Sequence, residues 1–459
     1  MTNTPPAPDG SGANLKERLK AGKRLREKVP RAAHAKWTAP PGRPDPVEVL
    51  KQSGHGLVRE LLPIRYARMR QSPFAFFRGS AALMAADLAT TPATGIHVQM
   101  CGDCHACNFG GFASPERRLL FDINDFDETL PGPWEWDLKR LAASVVLASR
   151  EIGLSDRRAT NAVGGLVAAY REHMRQYSRM RALEVWYSHL DAEVFVEEAA
   201  SDAGKERWQE IEDKARSQTP EHIFPRFADD RNGRIRIVDR PPLVFHRRSD
   251  DLVRTRVAEM FHRYRATLPD ERRVILDRYE IVDVARQVVG VGSVGTHCAV
   301  MLLMAGRHDP MLLQVKEARA SVLEPYVGKS RFRNHGERVV RGQRMLQSAS
   351  DVFLGWTRDD EGHDFYFRQL RDMKMKIDPD NMKKADWLEY VDICAWTLAR
   401  AHARTGDAPL IAGYLGKTEA FDSAIVAFAN AYADQTERDH ASLVKAIRAG
   451  RLTVAARAA

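Results

Sequence analysis

The stretch VVGVGSVGTHCAVMLLMAGRHDPMLLQVKEA, residues 288–318, narrows the folds open to this chain more than any other. Its glycines at 290, 292 and 295 form a G-x-G-x-x-G pattern, which on its own also suits a dinucleotide-binding fold. In that fold the glycines open a helix. Here the apolar run from Cys298 ends quickly at a GRHDP turn and resumes as MLLQVKEA, so the spacing predicts three antiparallel strands with Lys316 on the third. Glycines let backbone N–H groups approach a phosphate without side-chain obstruction, and a lysine adds a point charge on its oxygens. Gly290, Gly292, Ser293, Gly295 and Lys316 are therefore candidate cofactor-binding residues.

A second cluster lies far upstream. CGDCHACNFG, residues 101–110, fits the C-x-x-C-H pattern of haem attachment, offers three cysteines and a histidine to a soft metal, or presents Asp103, His105 and Asn108 to phosphate and magnesium. Covalent haem attachment requires an exported, oxidising setting, and the segment MTNTPPAPDGSGANLKERLK has no apolar core behind a basic start. Structural zinc usually takes two ligand pairs, whereas Cys298 and Cys394 are isolated in the sequence. Five cysteines, an odd count, point to reduced thiols.

The segment LLFDINDFDE that follows reads as a strand delivering Asp122, Asp125, Asp127 and Glu128 at its end. Magnesium takes oxygen ligands, commonly one or two carboxylates plus substrate phosphates, so Asn108 and Asp125 are candidate metal ligands. Phenylalanines between the carboxylates argue against a solvated turn.

Charge and hydropathy limit the partners. A formal charge of +9 suits an anionic partner, but it is concentrated only from Lys16 to Lys36, a run that most simply faces water, so nucleic acid is disfavoured. The longest apolar runs are too short to span a membrane, which makes the cytoplasm the expected location. APPGRPDP reads as a linker that leaves residues 1–46 as a basic, proline-rich arm.

CGDCHACN resembles the H-G-D-x-H-x-x-N catalytic loop of the aminoglycoside phosphotransferase and choline-kinase-like enzymes, with Cys101 in place of the first histidine. FDINDFDE is similar to their metal segment, and GPWEWDLKRLAAS to the helix start after it. Asp125 lies 125 − 108 = 17 positions after Asn108 and 137 − 125 = 12 before Asp137, close to that family's intervals. The resemblance implies ATP and Mg as cofactors, Asp103 as the catalytic group acting on an acceptor with His105 beside it, Asn108 and Asp125 on the metal, and Asp137 bracing the catalytic loop. It also implies that Lys316 pairs with a helix carboxylate, for which Glu337 is the candidate and Glu324 the rival.

These parts occur in rotated order. The glycine loop, the lysine, a strand and hinge in FYFRQLRDMK, and the lead-in helix LARAHA all follow the catalytic loop instead of preceding it. The expected fold is α+β, a two-lobed protein-kinase-like fold, circularly permuted: large lobe 47–280, small antiparallel-sheet lobe 281–375 and helical remainder 376–459. Residues 151–279 read as helices with one NG hairpin and are expected to carry the acceptor site. Over nearly its full length the chain also resembles a bacterial family known as domain of unknown function 2252. The expected activity is phosphate transfer from ATP to an unknown acceptor, with a nucleotide-binding pseudokinase or interaction module, an AMP transferase, or a basic nucleic-acid binder as alternatives.

Overall fold

The computed structural model describes residues 14–455 apart from 232–233, 247–250, 289, 293, 371 and 380–381. The chain is mixed α+β, and its strands form small antiparallel sheets. Four short strands come first: β1 (His97–Met100), β2 (Phe109–Ala113), β3 (Leu119–Ile123) and β4 (Leu130–Pro133), with β1 paired to β4 and β2 to β3. Strands β5 (Ala228–Arg231) and β6 (Arg234–Ile237) then pair across the expected NG turn, whose residues 232–233 lie outside the described ones.

The largest sheet runs in the order β11-β12-β10-β9-β8-β7, made of β7 (Val244–Phe245), β8 (Glu280–Gln287), β9 (Cys298–Met304), β10 (Pro310–Ala318), β11 (Gly355–Arg358) and β12 (Asp364–Gln369). β8, β9 and β10 form the expected antiparallel meander, and the chain enters β9 directly after Gly295 instead of starting a helix there. β9 and β10 are buried along their whole length, and their continuous apolar sequences suit a sheet covered on both faces. Leu313, Val315 and Phe367 pack against Val257, Met260 and Tyr264 of the helix Asp251–Arg265. Val300, Leu302 and Leu312 pack on the other side against Phe227 and Ile237. The helices Pro220–Phe227, Asp251–Arg265 and Asp270–Leu276, which precede residue 280, thus cover the sheet, because a sheet apolar on both faces must be roofed twice.

The remaining helices bury Trp134, Trp387, Tyr390 and Tyr414 in one core. Packing also begins before the boundary expected at residue 47. The helix Leu15–Lys28, closed by an Asn14–Glu17 capping box, lies so near the helix Ala408–Leu415 that a Cβ on Gly22 would sit 2.0 Å from the Leu410 carbonyl. Arg18 pairs with Asp407, and Arg26 and Arg31 donate to the carbonyls of Tyr414 and Leu415, so part of the basic run is used in packing. The helix Lys384–Thr405 ends beside β1, where the Gln99 N–H donates to Thr405 Oγ1 at 3.2 Å. Among the described residues, no helix is long and apolar enough to cross a membrane.

Candidate functional site

The loop after β1 is held from below. Asp137, in the first turn of the helix Trp134–Glu151, accepts the Cys101 N–H on Oδ2 at 2.8 Å and the Gly102 N–H on Oδ1 at 3.0 Å. A carboxylate there also complements the helix dipole. His402 Nε2 lies 3.3 Å from Asp137 Oδ2, and its Nδ1 meets the Tyr170 hydroxyl at 2.8 Å. Gly102 has φ +87°, and a Cβ would approach the Glu128 carbonyl to 2.4 Å, so the loop closes only with glycine.

This support aims three side chains into a cavity of about 310 Å³. Asp103 accepts from Arg140 Nε at 2.6 Å, and burial pushes its carboxyl above the usual range despite that partner. His105 is 4% exposed, lies 3.9 Å from Asp103 and has no partner on Nδ1 among the described residues. Burial, then Arg78 and Arg140, hold its ring well below its ordinary pKa, so the imidazole is neutral. Asn108 donates from Nδ2 to the Asp103 carbonyl at 2.8 Å, and among the described residues its Oδ1 has no donor.

The β2–β3 pairing carries the acidic segment to the same place, since the Asn124 N–H donates to the Asn108 carbonyl at 2.9 Å. Asp122 turns away from it. Fully buried, it accepts two contacts of 2.6 Å from Arg400 and a further N–H from Ser348, and so ties β3 to the helix Lys384–Thr405. Asp125 accepts the Asp127 N–H at 3.1 Å; burial and the Asp127 charge raise its pKa. For Asp127 burial acts upward, but Lys316 and Tyr366 outweigh it and pull the carboxyl below its usual range. Lys316 forms an ion pair with Asp127, and the Tyr366 hydroxyl donates to the same carboxylate at 2.8 Å.

Glu337 is not the partner of Lys316. It begins the helix His335–Leu346, where its N–H is capped by Asn334 and its carboxylate meets Arg341 at 3.4 Å. The next residue, Arg338, faces the acidic segment instead and donates to the carbonyls of Asp127, Thr129 and Arg319. The rival Glu324 lies 3.9 Å from His335. One helical position, about 100° of rotation, separates the expected from the observed residue. Asp127 itself was visible as the next alternate position in DINDFD, whereas Tyr366 and Arg338 carried no signal short of a helix rotation and a strand register.

Gly290 and Gly292 line the cavity with Lys316. A Cβ on Gly292 would lie 3.2 Å from the Arg78 carbonyl and 4.0 Å from Asp103 Oδ2, so Gly292 sits against the loop that carries Asp103. Arg65 fixes it by donating to the Gly292 carbonyl at 2.9 Å and the Gly79 carbonyl at 3.1 Å. Gly295, at φ +104°, turns the chain against Leu57. Ser293 lies outside the described residues. The structure thus gathers Asp103, His105, Asn108, Asp125, Gly290, Gly292 and Lys316 around one cavity.

Cys101, Cys104 and Asp137 place their ligand atoms within 4.8 Å of one another, but Asp137 is already committed to the loop amides. Burial raises both thiols above their ordinary pKa, so they pack as neutral core side chains.

Residues 57–446 match the model of a family described as an uncharacterized protein conserved in bacteria (DUF2252). No curated protein and no solved structure matches the chain.

Proposed function

The chain belongs to the bacterial DUF2252 family, and on that premise we propose that it is a two-lobed, circularly permuted kinase-like phosphotransferase using ATP and magnesium. The observation that carries this is the shared cavity: Asp103, Asn108 and Asp125 meet Gly292 and Lys316 there, although Lys316 follows Asp125 by 316 − 125 = 191 positions. A glycine hairpin, a buried lysine on the next strand, a helix and two further strands then form the nucleotide-binding side. The end of the helix Lys384–Thr405 beside β1 supports the permutation, since the rotated order needs those two segments adjacent.

Magnesium fits the donor set, because Asn108 Oδ1 and the second Asp125 oxygen are acceptors without donors among the described residues. When bound, Mg-ATP supplies the phosphoryl group and neutralises its charge. The chain's own part is positional. Lys316 offers a buried ammonium, and Asp103, kept from full acidity by burial, takes the acceptor's hydroxyl proton while Arg140 orients it.

Incubation of the purified chain with Mg-ATP labelled at the γ or the α phosphate tests this. The γ label is expected on an acceptor or in released phosphate, Asp125→Ala is expected to lose magnesium-dependent nucleotide binding, and Asp103→Ala to keep binding while losing roughly 100-fold or more in turnover. Transfer of the α label instead identifies an AMP transferase. Binding without turnover identifies a nucleotide-binding module, and normal turnover by both variants removes the proposal.

A further inference from the structure

The cavity extends to a group that the proposed transfer chemistry does not use. Its other lining cations have partners: Arg65 in the carbonyls of Gly292 and Gly79, Lys316 in Asp127, Arg319 in the His55 carbonyl and Arg368 in Gln314. Arg78 differs. Among the described residues its guanidinium has no hydrogen bond or ion pair; its Nε is buried without a partner, and its charged carbon lies 5.9 Å over the Phe74 ring. Its charge acts on Asp103 only at a distance and its direct contact is the Phe74 ring, so its hydrogen-bond donors have no acceptor among the described residues.

Two features beside it have the same polarity. The helix Ala81–Leu88 presents Ala81 and Ala82 to the cavity, and its Ser80 hydroxyl donates to the Phe77 carbonyl instead of capping the first N–H groups. Those amides keep the positive end of the helix open. His105, more than nine-tenths buried, lines the same cavity with Nδ1 unpartnered.

We infer that Arg78 and the N-terminus of the helix Ala81–Leu88 bind an oxyanion, phosphate or carboxylate, carried by the acceptor, so that the phosphoryl acceptor is an anionic hydroxyl compound. This rests on the phosphotransferase proposal: the acceptor oxygen bonds to the γ phosphorus, the bond from that phosphorus to the β–γ bridging oxygen breaks, ADP leaves, and the hydroxyl proton passes to Asp103. An anionic acceptor beside Asp103 and Glu128 needs a cation whose hydrogen-bond donors are not already committed to them, and a guanidinium matches an oxyanion with two parallel donors.

Inorganic phosphate is the probe, titrated calorimetrically into the full chain with and without saturating Mg-ATP analogue, for the wild type, Arg78→Gln and Arg78→Lys. Phosphate is expected to bind alongside the nucleotide. Arg78→Gln should weaken phosphate by about 10- to 100-fold while moving nucleotide affinity by less than about threefold, with Arg78→Lys in between. Unchanged phosphate affinity in Arg78→Gln overturns the inference, as does absence of phosphate binding by the wild type. One-for-one competition between phosphate and nucleotide also overturns it and gives Arg78 to the nucleotide's own phosphates. A chain that binds phosphate through Arg78 but no nucleotide refutes the phosphotransferase proposal and leaves the oxyanion site standing.

Discussion

Asp137→Asn isolates the brace under the loop 101–108 without changing its size. The carboxylate accepts one amide on each oxygen, Cys101 on Oδ2 and Gly102 on Oδ1, at 1% exposure. Either orientation of an asparagine turns its NH₂ toward one of these donors, so one hydrogen bond to a charged acceptor is lost and one buried amide is orphaned. A hydrogen bond to a charged group contributes about 1.5–3 kcal/mol and an orphaned donor costs about 1–3 kcal/mol, together about 2.5–6 kcal/mol. His402 Nε2, now 3.3 Å from Asp137 Oδ2, can accept from the new NH₂ in one orientation and return about 1 kcal/mol. The net expected loss is about 1.5–5 kcal/mol, read as a lower urea midpoint at unchanged slope. Amide exchange at Cys101 and Gly102 should accelerate with it. A loss below about 1 kcal/mol with both amides still protected would refute the brace.

Two further substitutions test the packing around the site. Lys139 is fully buried, with Nζ 2.8 Å from Thr91 Oγ1, and burial lowers its pKa to about 8 against the opposing pull of Glu135. Since the unfolded chain then binds the extra proton between pH 8 and the ordinary lysine pKa of about 10.4, stability should rise with pH across that window. Lys139→Met should remove the slope and stabilise the chain at pH 7 by on the order of 1–3 kcal/mol, and a pH-independent difference between the two proteins would count against the buried ammonium. Gly102→Ala forces a side chain into a left-handed backbone and toward a carbonyl 2.4 Å away, so a loss of about 2–4 kcal/mol is expected; a wild-type urea midpoint would show that the loop has room.

The parts of the cleft written in consecutive residues were legible. Asp103, His105 and Asn108 share one loop, Gly290 and Gly292 share one turn, and the short apolar run after Gly295 excluded a helix by length alone. What could not be read depended on rotation or on distant contacts. Whether residue 337 or 338 of one helix faces the acidic segment is set by how that helix packs, and Arg338 is 2% exposed where the Glu337 side chain is 25% exposed and held by Arg341 of its own helix. The roofing of the sheet by residues 220–276 was hidden for a related reason: amphipathic helices announce an apolar face, not the surface that face will cover. Arg78 sat in an apolar stretch that reads as core, and its lack of a partner is a property of the folded cavity.

Asp125 and Asp127, two positions apart, end in opposite electrostatic states, and that difference assigns their work. Asp127 meets Lys316 and Tyr366, so its negative charge is already balanced and its pKa is depressed. Asp125 has burial and its neighbour's charge against it; longer-range help from Lys316 and Arg368 and one hydrogen bond from the Asp127 N–H do not offset them, and its pKa is raised. A divalent cation gains most from the carboxylate that the protein leaves uncompensated, because there it replaces a penalty instead of an existing ion pair. Under the proposed function, magnesium affinity should therefore rest on Asp125 and fall on acidification as the raised pKa of Asp125 is approached. Asp127 is left to hold Lys316 in the cleft, the task the sequence had assigned to a helix carboxylate.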